Sequence, residues 1–306
     1  MQIQWSGTLP IGRRWFWGTN QPGSLKRSGP GVEKFKPGDR VFVHHHVACL
    51  HCEYCRKGNF TMCKEYRPTN LFPGGFSEYF IASSAHVERD TLKLPSSVSF
   101  EHGTLIEPLA CVVHAVRKAK VKPGDSVALI GTGAMGLMFI DVLKAYGVRR
   151  LVVYEIDPWR AAKAKEIGAP EVWTPGRDPQ LEGQKLREYL HSEGADIVFV
   201  AAKDIAAIEM GLSLANKGGT VLFFATPSPD EFVKLYPSRV FFAEQTITAS
   251  YSADHIDTRL ALELLASGSI HADTVITHQF PLEELSSAIL QTASRGECLK
   301  SIIKIA

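Results

Sequence analysis

Residues 122–136 read KPGDSVALIGTGAMG. A turn is followed by the apolar run Val127–Ile130, and Gly131-Thr-Gly133-Ala134-Met135-Gly136 then opens a helical stretch. In this order the first glycine permits a tight turn, the second lets backbone approach a pyrophosphate, and the third lets helix pack on strand. The helix N-terminus adds free N–H groups and a positive dipole end for an anion. Gly131, Gly133, Ala134, Met135 and Gly136 are therefore candidates to bind a dinucleotide. Glu155 follows Gly131 by 24 residues (155 − 131), at the end of the next apolar run. A carboxylate there accepts from a ribose 2′-OH and repels a 2′-phosphate, which favours NAD over NADP. Asp157 precedes Pro158 and reads as a helix cap. Arg160 either flanks the adenosine ribose or is a solvated helix charge.

Outward from this motif the chain alternates. Strands are expected at Val127–Ile130, Leu151–Tyr154, Ile197–Ala201 and Thr220–Phe224, and helices at Ala134–Tyr146, Pro158–Ile167 and Ile205–Ala215. Such alternation predicts an α/β Rossmann fold, a doubly wound parallel sheet with right-handed crossovers. Residues 30–100 are instead rich in Gly, Pro and β-branched or aromatic residues. A first Lys36-Pro37-Gly38-Asp39 turn feeds a strand at Arg40–Val43, and another strand is expected at Ser77–Ile81. Residues 104–120 read as helix. After Tyr251 come a helix (Thr258–Ser267), a strand near Val275 and an amphipathic helix (Leu282–Thr292), as a return to the first domain. The expected domains are 1–114 with 251–306, and an inserted 115–250.

Cys49, Cys52, Cys55 and Cys63 are spaced C-x2-C-x2-C-x7-C. Thiolates so placed close on one tetrahedral Zn²⁺ at about 2.3 Å each, and four sulfurs leave no open position for chemistry. The alternatives are an iron–sulfur cluster and a disulfide set. No Pro follows the last Cys as in bacterial ferredoxin runs, and a disulfide framework suits a short secreted chain rather than 306 residues. Lys plus Arg number 34 against 32 for Asp plus Glu, so charge gives no case for nucleic acid or an anionic membrane. No apolar run reaches the ~18 residues of a membrane span, and no signal pattern is legible. Six cysteines, four of them in the lobe, point to a reducing cytoplasm.

A β-rich domain with a four-Cys lobe at 44–66, a dinucleotide unit and a returning C-terminus resemble the zinc-containing medium-chain dehydrogenase/reductase superfamily. The carrying motifs are PGDRV, the cysteine lobe, GGFSEY, KPGDSVALIGTGAMG and FPLEELSSAI. Leu105-Ile-Glu107-Pro-Leu-Ala-Cys111 is similar to the sorbitol, threonine and glucose dehydrogenase branch. The resemblance implies a GroES-like catalytic domain around the Rossmann insertion. It also implies that Glu107 lies at a catalytic zinc, as ligand or through water, and that a secondary alcohol or polyol is oxidised by NAD. It implies a homodimer or homotetramer as well. A ligand role for His44, His45 and His46 would be opportunistic under it, depending on chance geometry, and His114 is expected to pack in its helix.

The first segment departs from that pattern. A G-x-C-G-x-D segment and an LGHE motif, which supply the family's other catalytic metal ligands, are not found in the sequence as written. Residues 1–29 show neither strand alternation nor a helical period. Read from each codon's third base, Trp15-Phe16-Trp17-Gly18 must give Val-Leu-Gly, and the next codons permit His-Glu. Residues 1–29 are thus expected to be aberrant or out of frame. The consequences expected are missing strands, a loose first domain, one structural zinc, weak NAD binding and impaired turnover. The rival reading is a non-catalytic dinucleotide-binding protein that keeps only the structural zinc.

Overall fold

A computed structural model describes the backbone of residues 9–12, 15–16 and 20–21, and whole residues 22–294 and 296–305. The chain divides into two compact units, residues 1–111 with 252–306, and residues 112–251.

The first unit begins with β1 (Leu9–Gly12), β2 (Trp15–Phe16), β3 (Asn20–Leu25), β4 (Arg40–His44), β5 (Tyr79–Ala82) and β6 (Thr91–Lys93). Five of these form an antiparallel sheet in the order β5-β1-β3-β4-β6. β4 is the strand that the KPGD turn predicts. Asp39 Oδ2 accepts from the Lys36 N–H at 3.0 Å, and Gly38 takes φ +91°, a region open to glycine. Leu25, Phe35, Val41, Val43, Phe80 and Val87 make the core of this sheet.

The strands β1 and β3 correct the expectation that residues 1–29 carry none. Pro10, Gly12, Pro22 and Gly23 hide any strand propensity, yet backbone pairing needs no side-chain pattern. β3 is held between β1 and β4 in a register that runs from Asn20↔His44 to Ser24↔Arg40. Tertiary pairing overrides local preference here. The first-domain sheet is accordingly filled, not left with an open edge at β4. Trp17, Gly18 and Thr19, on which much of the frame-shift reading falls, lie outside the described residues.

The second unit holds β7 (Ser126–Ile130), β8 (Arg150–Tyr154), β9 (Glu171–Trp173), β10 (Ala195–Val200), β11 (Ala215–Phe223) and β12 (Thr246–Ala249). All pair in parallel, in the order β12-β11-β10-β7-β8-β9. This is the doubly wound arrangement, with strand order reversing between β7 and β10. Every residue of β7 is buried, as an apolar run within a parallel sheet requires. Helices Ala134–Ala145, Pro158–Glu166 and Ile205–Leu214 match the expected spans to within a residue or two. The short strand β9 and the helix Pro179–Leu190 carry no clear apolar period and were not foreseen.

The chain returns to the first unit with helix His255–Ala266, whose Asp254 and Asp257 make a reciprocal capping box. Two strands follow, β13 (Ile276–Pro281) and β14 (Lys300–Lys304), which pair in parallel, with β2 antiparallel on β14. The strand expected near Val275 starts one residue later, because Ala272–Val275 is a single helical turn.

Candidate functional site

In the second unit the Gly131 loop leaves the C-terminal end of β7, next to the point where strand order reverses. Gly131 takes φ +97°, and its N–H donates to the Tyr154 carbonyl at 2.8 Å. A Cβ on Gly136 would lie 2.1 Å from the Gly131 carbonyl oxygen, so only glycine lets this helix start so close to the strand. At Gly133, the helix N-cap, a Cβ would meet nothing within 4 Å. That open space beside free helix N–H groups is the shape a pyrophosphate needs.

Glu155 is buried directly after β8, with both oxygens engaged. Oε2 accepts from the Thr132 N–H (2.6 Å) and hydroxyl (2.7 Å), and Oε1 accepts from the N–H groups of Ile156 and Asp157 (both 2.8 Å). The carboxylate therefore ties the glycine loop to the following turn. This structural duty comes in addition to the ribose contact expected of it. Asp157 caps its helix as expected, accepting from Trp159 and Arg160 N–H groups at 2.9 and 3.0 Å. Arg160 Nε is buried without a hydrogen-bond partner.

In the first unit the four lobe cysteines have their sulfurs within 4.8 Å of one another. Sγ of Cys52 and of Cys49 lie 3.5 and 3.9 Å from that of Cys55. A tetrahedron with about 2.3 Å bonds has edges of about 3.8 Å, whereas a disulfide needs about 2.05 Å. The spacing fits a shared cation. N–H groups of Cys52 and Cys49 point at the sulfurs of Cys49 and Cys63, both at 3.3 Å. Hydrogen bonds from backbone around Cys55 bring the Cys52 thiol down to about 7. Desolvation pushes Cys55 up to about 12. Four thiolates so close need a cation among them.

A second group in this unit brings two of the three neighbouring histidines to Glu107. One donor atom each of His44, His45 and Glu107 lie within 4.8 Å of one another. His44 ends β4 and is fully buried; its Nδ1–H donates to Asp90 Oδ2 at 2.8 Å. Burial alone would lower the His44 pKa, but the hydrogen bond and charge of Asp90 outweigh it and the net direction is upward. Asp90 Oδ1 accepts from the Thr258 hydroxyl at 2.7 Å. Glu107 sits in the first turn of helix Ile106–Lys118, half-buried, with the Cys111 thiol 3.6 Å away. His46 turns elsewhere, its Nδ1 bonded to the Thr69 carbonyl. No sequence period could reveal this grouping, since Glu107 and the histidines are 62 and 63 residues apart (107 − 45 and 107 − 44).

Comparison with known proteins now bears on these sites. Residues 3–96 match the alcohol dehydrogenase GroES-like domain family, and residues 134–267 match the zinc-binding dehydrogenase family. D-arabinitol dehydrogenase 1 of Uromyces fabae is 30% identical over 286 residues, covering 92% of this chain and 79% of that protein. The chain belongs to the zinc-containing medium-chain dehydrogenase/reductase superfamily. Sorbitol dehydrogenase of Bacillus subtilis is 28% identical over 301 residues, 97% of this chain and 83% of that protein. Among solved structures, an alcohol dehydrogenase from Escherichia coli CFT073 complexed with NADH has a TM-score of 0.86. At 22% identity it covers 99% of this chain and 94% of its own, and it shows the shared fold. As a member of this superfamily the chain is a zinc-dependent alcohol or polyol dehydrogenase-type oxidoreductase. Among the described residues no helix is long and apolar enough to cross a membrane.

Lys300 of this dehydrogenase unit is buried on β14. Desolvation brings its ammonium down to about 8, against an opposing pull from Glu107. The unfolded chain keeps that proton up to about 10.5, so between those values the unfolded state binds more protons and stability rises with pH. Below pH 8 the full cost, on the order of a few kcal/mol, is present. Lys300→Met is therefore expected to raise the thermal midpoint at pH 7 by several degrees, with the gain shrinking towards pH 10. Melting curves at both pH values check this, and a lower midpoint at pH 7 would show the ammonium to be required.

Proposed function

We propose that this chain oxidises a secondary alcohol of the polyol or sugar-alcohol class with NAD, and that turnover is impaired in the sequence as written. The observation that carries the reading is the glycine loop at the β7 switch point, with a buried carboxylate, Glu155, directly behind it. Gly131, Gly133, Ala134, Met135 and Gly136 would hold the pyrophosphate. Ile156, 75% exposed beside Glu155, offers apolar surface for the base, and Arg160 lies one helical turn on. The Glu155 charge opposes a 2′-phosphate even while its oxygens serve the loop. Cys49, Cys52, Cys55 and Cys63 would hold a structural zinc, and Glu107 would serve a catalytic one, directly or through water. When bound, NAD accepts hydride and the catalytic zinc acts as Lewis acid on the substrate oxygen.

A second reading is a dinucleotide-binding protein without turnover that keeps only the four-Cys zinc. None of the six cysteines is joined in a disulfide, in keeping with a reducing cytoplasm. The edge strand β12 and the exposed Phe241 and Phe242 support a homodimer or homotetramer.

Fluorescence titration with NADH and NADPH, beside NADH production from pentitols and hexitols, tests both readings. NADH is expected to bind at least ~10-fold tighter than NADPH, about 1.4 kcal/mol. Glu155→Ala should narrow that gap and weaken NADH as well, because Thr132 loses its acceptor. Equal affinities in the unaltered chain would remove the NAD assignment. Tight NADH binding with no turnover on any alcohol would leave the second reading standing.

A further inference from the structure

We infer that His44, His45 and Glu107 form a divalent-metal site of their own, a His₂–Glu set separate from the four-Cys lobe. The inference deepens the dehydrogenase reading above and rests on it only for the metal's use, not for the metal's presence.

The argument begins with His44. It is fully buried, its Nδ1–H is held by Asp90, and its Nε2 is buried with no hydrogen-bond partner. A buried imidazole nitrogen without a partner costs roughly 1–3 kcal/mol in desolvation, and protein structures seldom leave that cost standing without a reason. The tautomer fixed by Asp90 puts the lone pair on Nε2, which is the form a metal takes. A carboxylate behind a ligating histidine is the usual second shell, since it orients the ring and raises its basicity. Here that carboxylate is itself fixed by the Thr258 hydroxyl. Two imidazoles and one carboxylate converge within 4.8 Å.

Two nitrogens and one oxygen are the donors that suit Zn²⁺, and three protein ligands leave one tetrahedral position open. The four-Cys lobe has no such opening. A rival cation for Glu107 is the buried Lys300 ammonium, which feels that carboxylate. A lysine paired there would satisfy Glu107 but would do nothing for His44 Nε2. His46 and Cys111 also face Glu107, yet neither lies in the group whose donor atoms converge.

The test is metal content of the full chain, read without any turnover assay. The apo chain is loaded with Zn²⁺ or Co²⁺, desalted, and its metal counted by atomic emission. Two equivalents are expected for the unaltered chain and one for Glu107→Gln, an isosteric change at a half-buried position that should fold. Asp90→Asn should keep two equivalents at saturating metal but weaken the second by roughly 10–100-fold. With Co²⁺ the second equivalent should add d–d absorption without new thiolate charge-transfer intensity, and Glu107→Gln should remove that increment alone. NADH binding is measured in the same samples and should be unchanged, so failure of the metal site and failure of the cofactor reading separate. One equivalent in the unaltered chain, or two in Glu107→Gln, would overturn the inference. So would a Lys300→Met chain that alone takes up the second metal, because Lys300 would then be the native occupant.

Discussion

Cys52→Ser should release one equivalent of zinc per chain and lower the thermal midpoint of the first unit by roughly 10 °C or more. The lobe has little else to hold it. Its packed residues are Ala48, the cysteines, Phe60 and Tyr66, too few apolar groups to fold the segment alone. Metal binding is therefore coupled to local folding, and in isolated zinc modules it is worth about 10–16 kcal/mol. Serine keeps the volume and removes the thiolate, so the loss belongs to the ligand and not to packing. The measurement is zinc content beside differential scanning calorimetry. Unchanged zinc and an unchanged midpoint would reject the metal reading of the four-cysteine group.

The second large effect concerns the glycine loop, where two alanine substitutions three residues apart should behave oppositely. Gly136→Ala drives a Cβ to 2.1 Å from the Gly131 carbonyl oxygen and 2.9 Å from its carbon, both backbone atoms with no rotamer to retreat into. Helix must separate from strand, at a cost of about 3 kcal/mol or more. Thermal stability and NADH binding should both fall. Gly133→Ala meets nothing within 4 Å and should leave the midpoint within about 1 °C, or gain slightly from lower unfolded-state entropy. If a pyrophosphate approaches the backbone at Gly133, that harmless methyl should still weaken NADH by roughly tenfold or more, about 1.4 kcal/mol. Full NADH affinity in Gly133→Ala would show that the loop is a structural turn alone.

The second unit was largely legible because its signals are local. A continuous apolar strand, three spaced glycines and a capped helix each declare themselves within a dozen residues. The two KPGD turns behave alike, Asp125 accepting from Lys122 at 2.7 Å as Asp39 does from Lys36. Residues 9–25 were not legible, since their strands exist through pairing with β4 and β5 and not through a pattern of their own. Glu155 was found, but its four donors were not, because they come from a loop 23 residues earlier and from its own following turn.

By itself the sequence determined the parallel Rossmann unit, the glycine loop after its first strand and the four-cysteine group, because in each the deciding atoms are neighbours along the chain. Only tertiary structure decided that a proline- and glycine-rich first segment joins a sheet. It alone decided that Lys300 is buried, and that Asp90, reaching from residue 90 to His44, aims an imidazole towards Glu107. Those outcomes depend on backbone pairing and burial between distant segments, whose free energy no local window of residues contains.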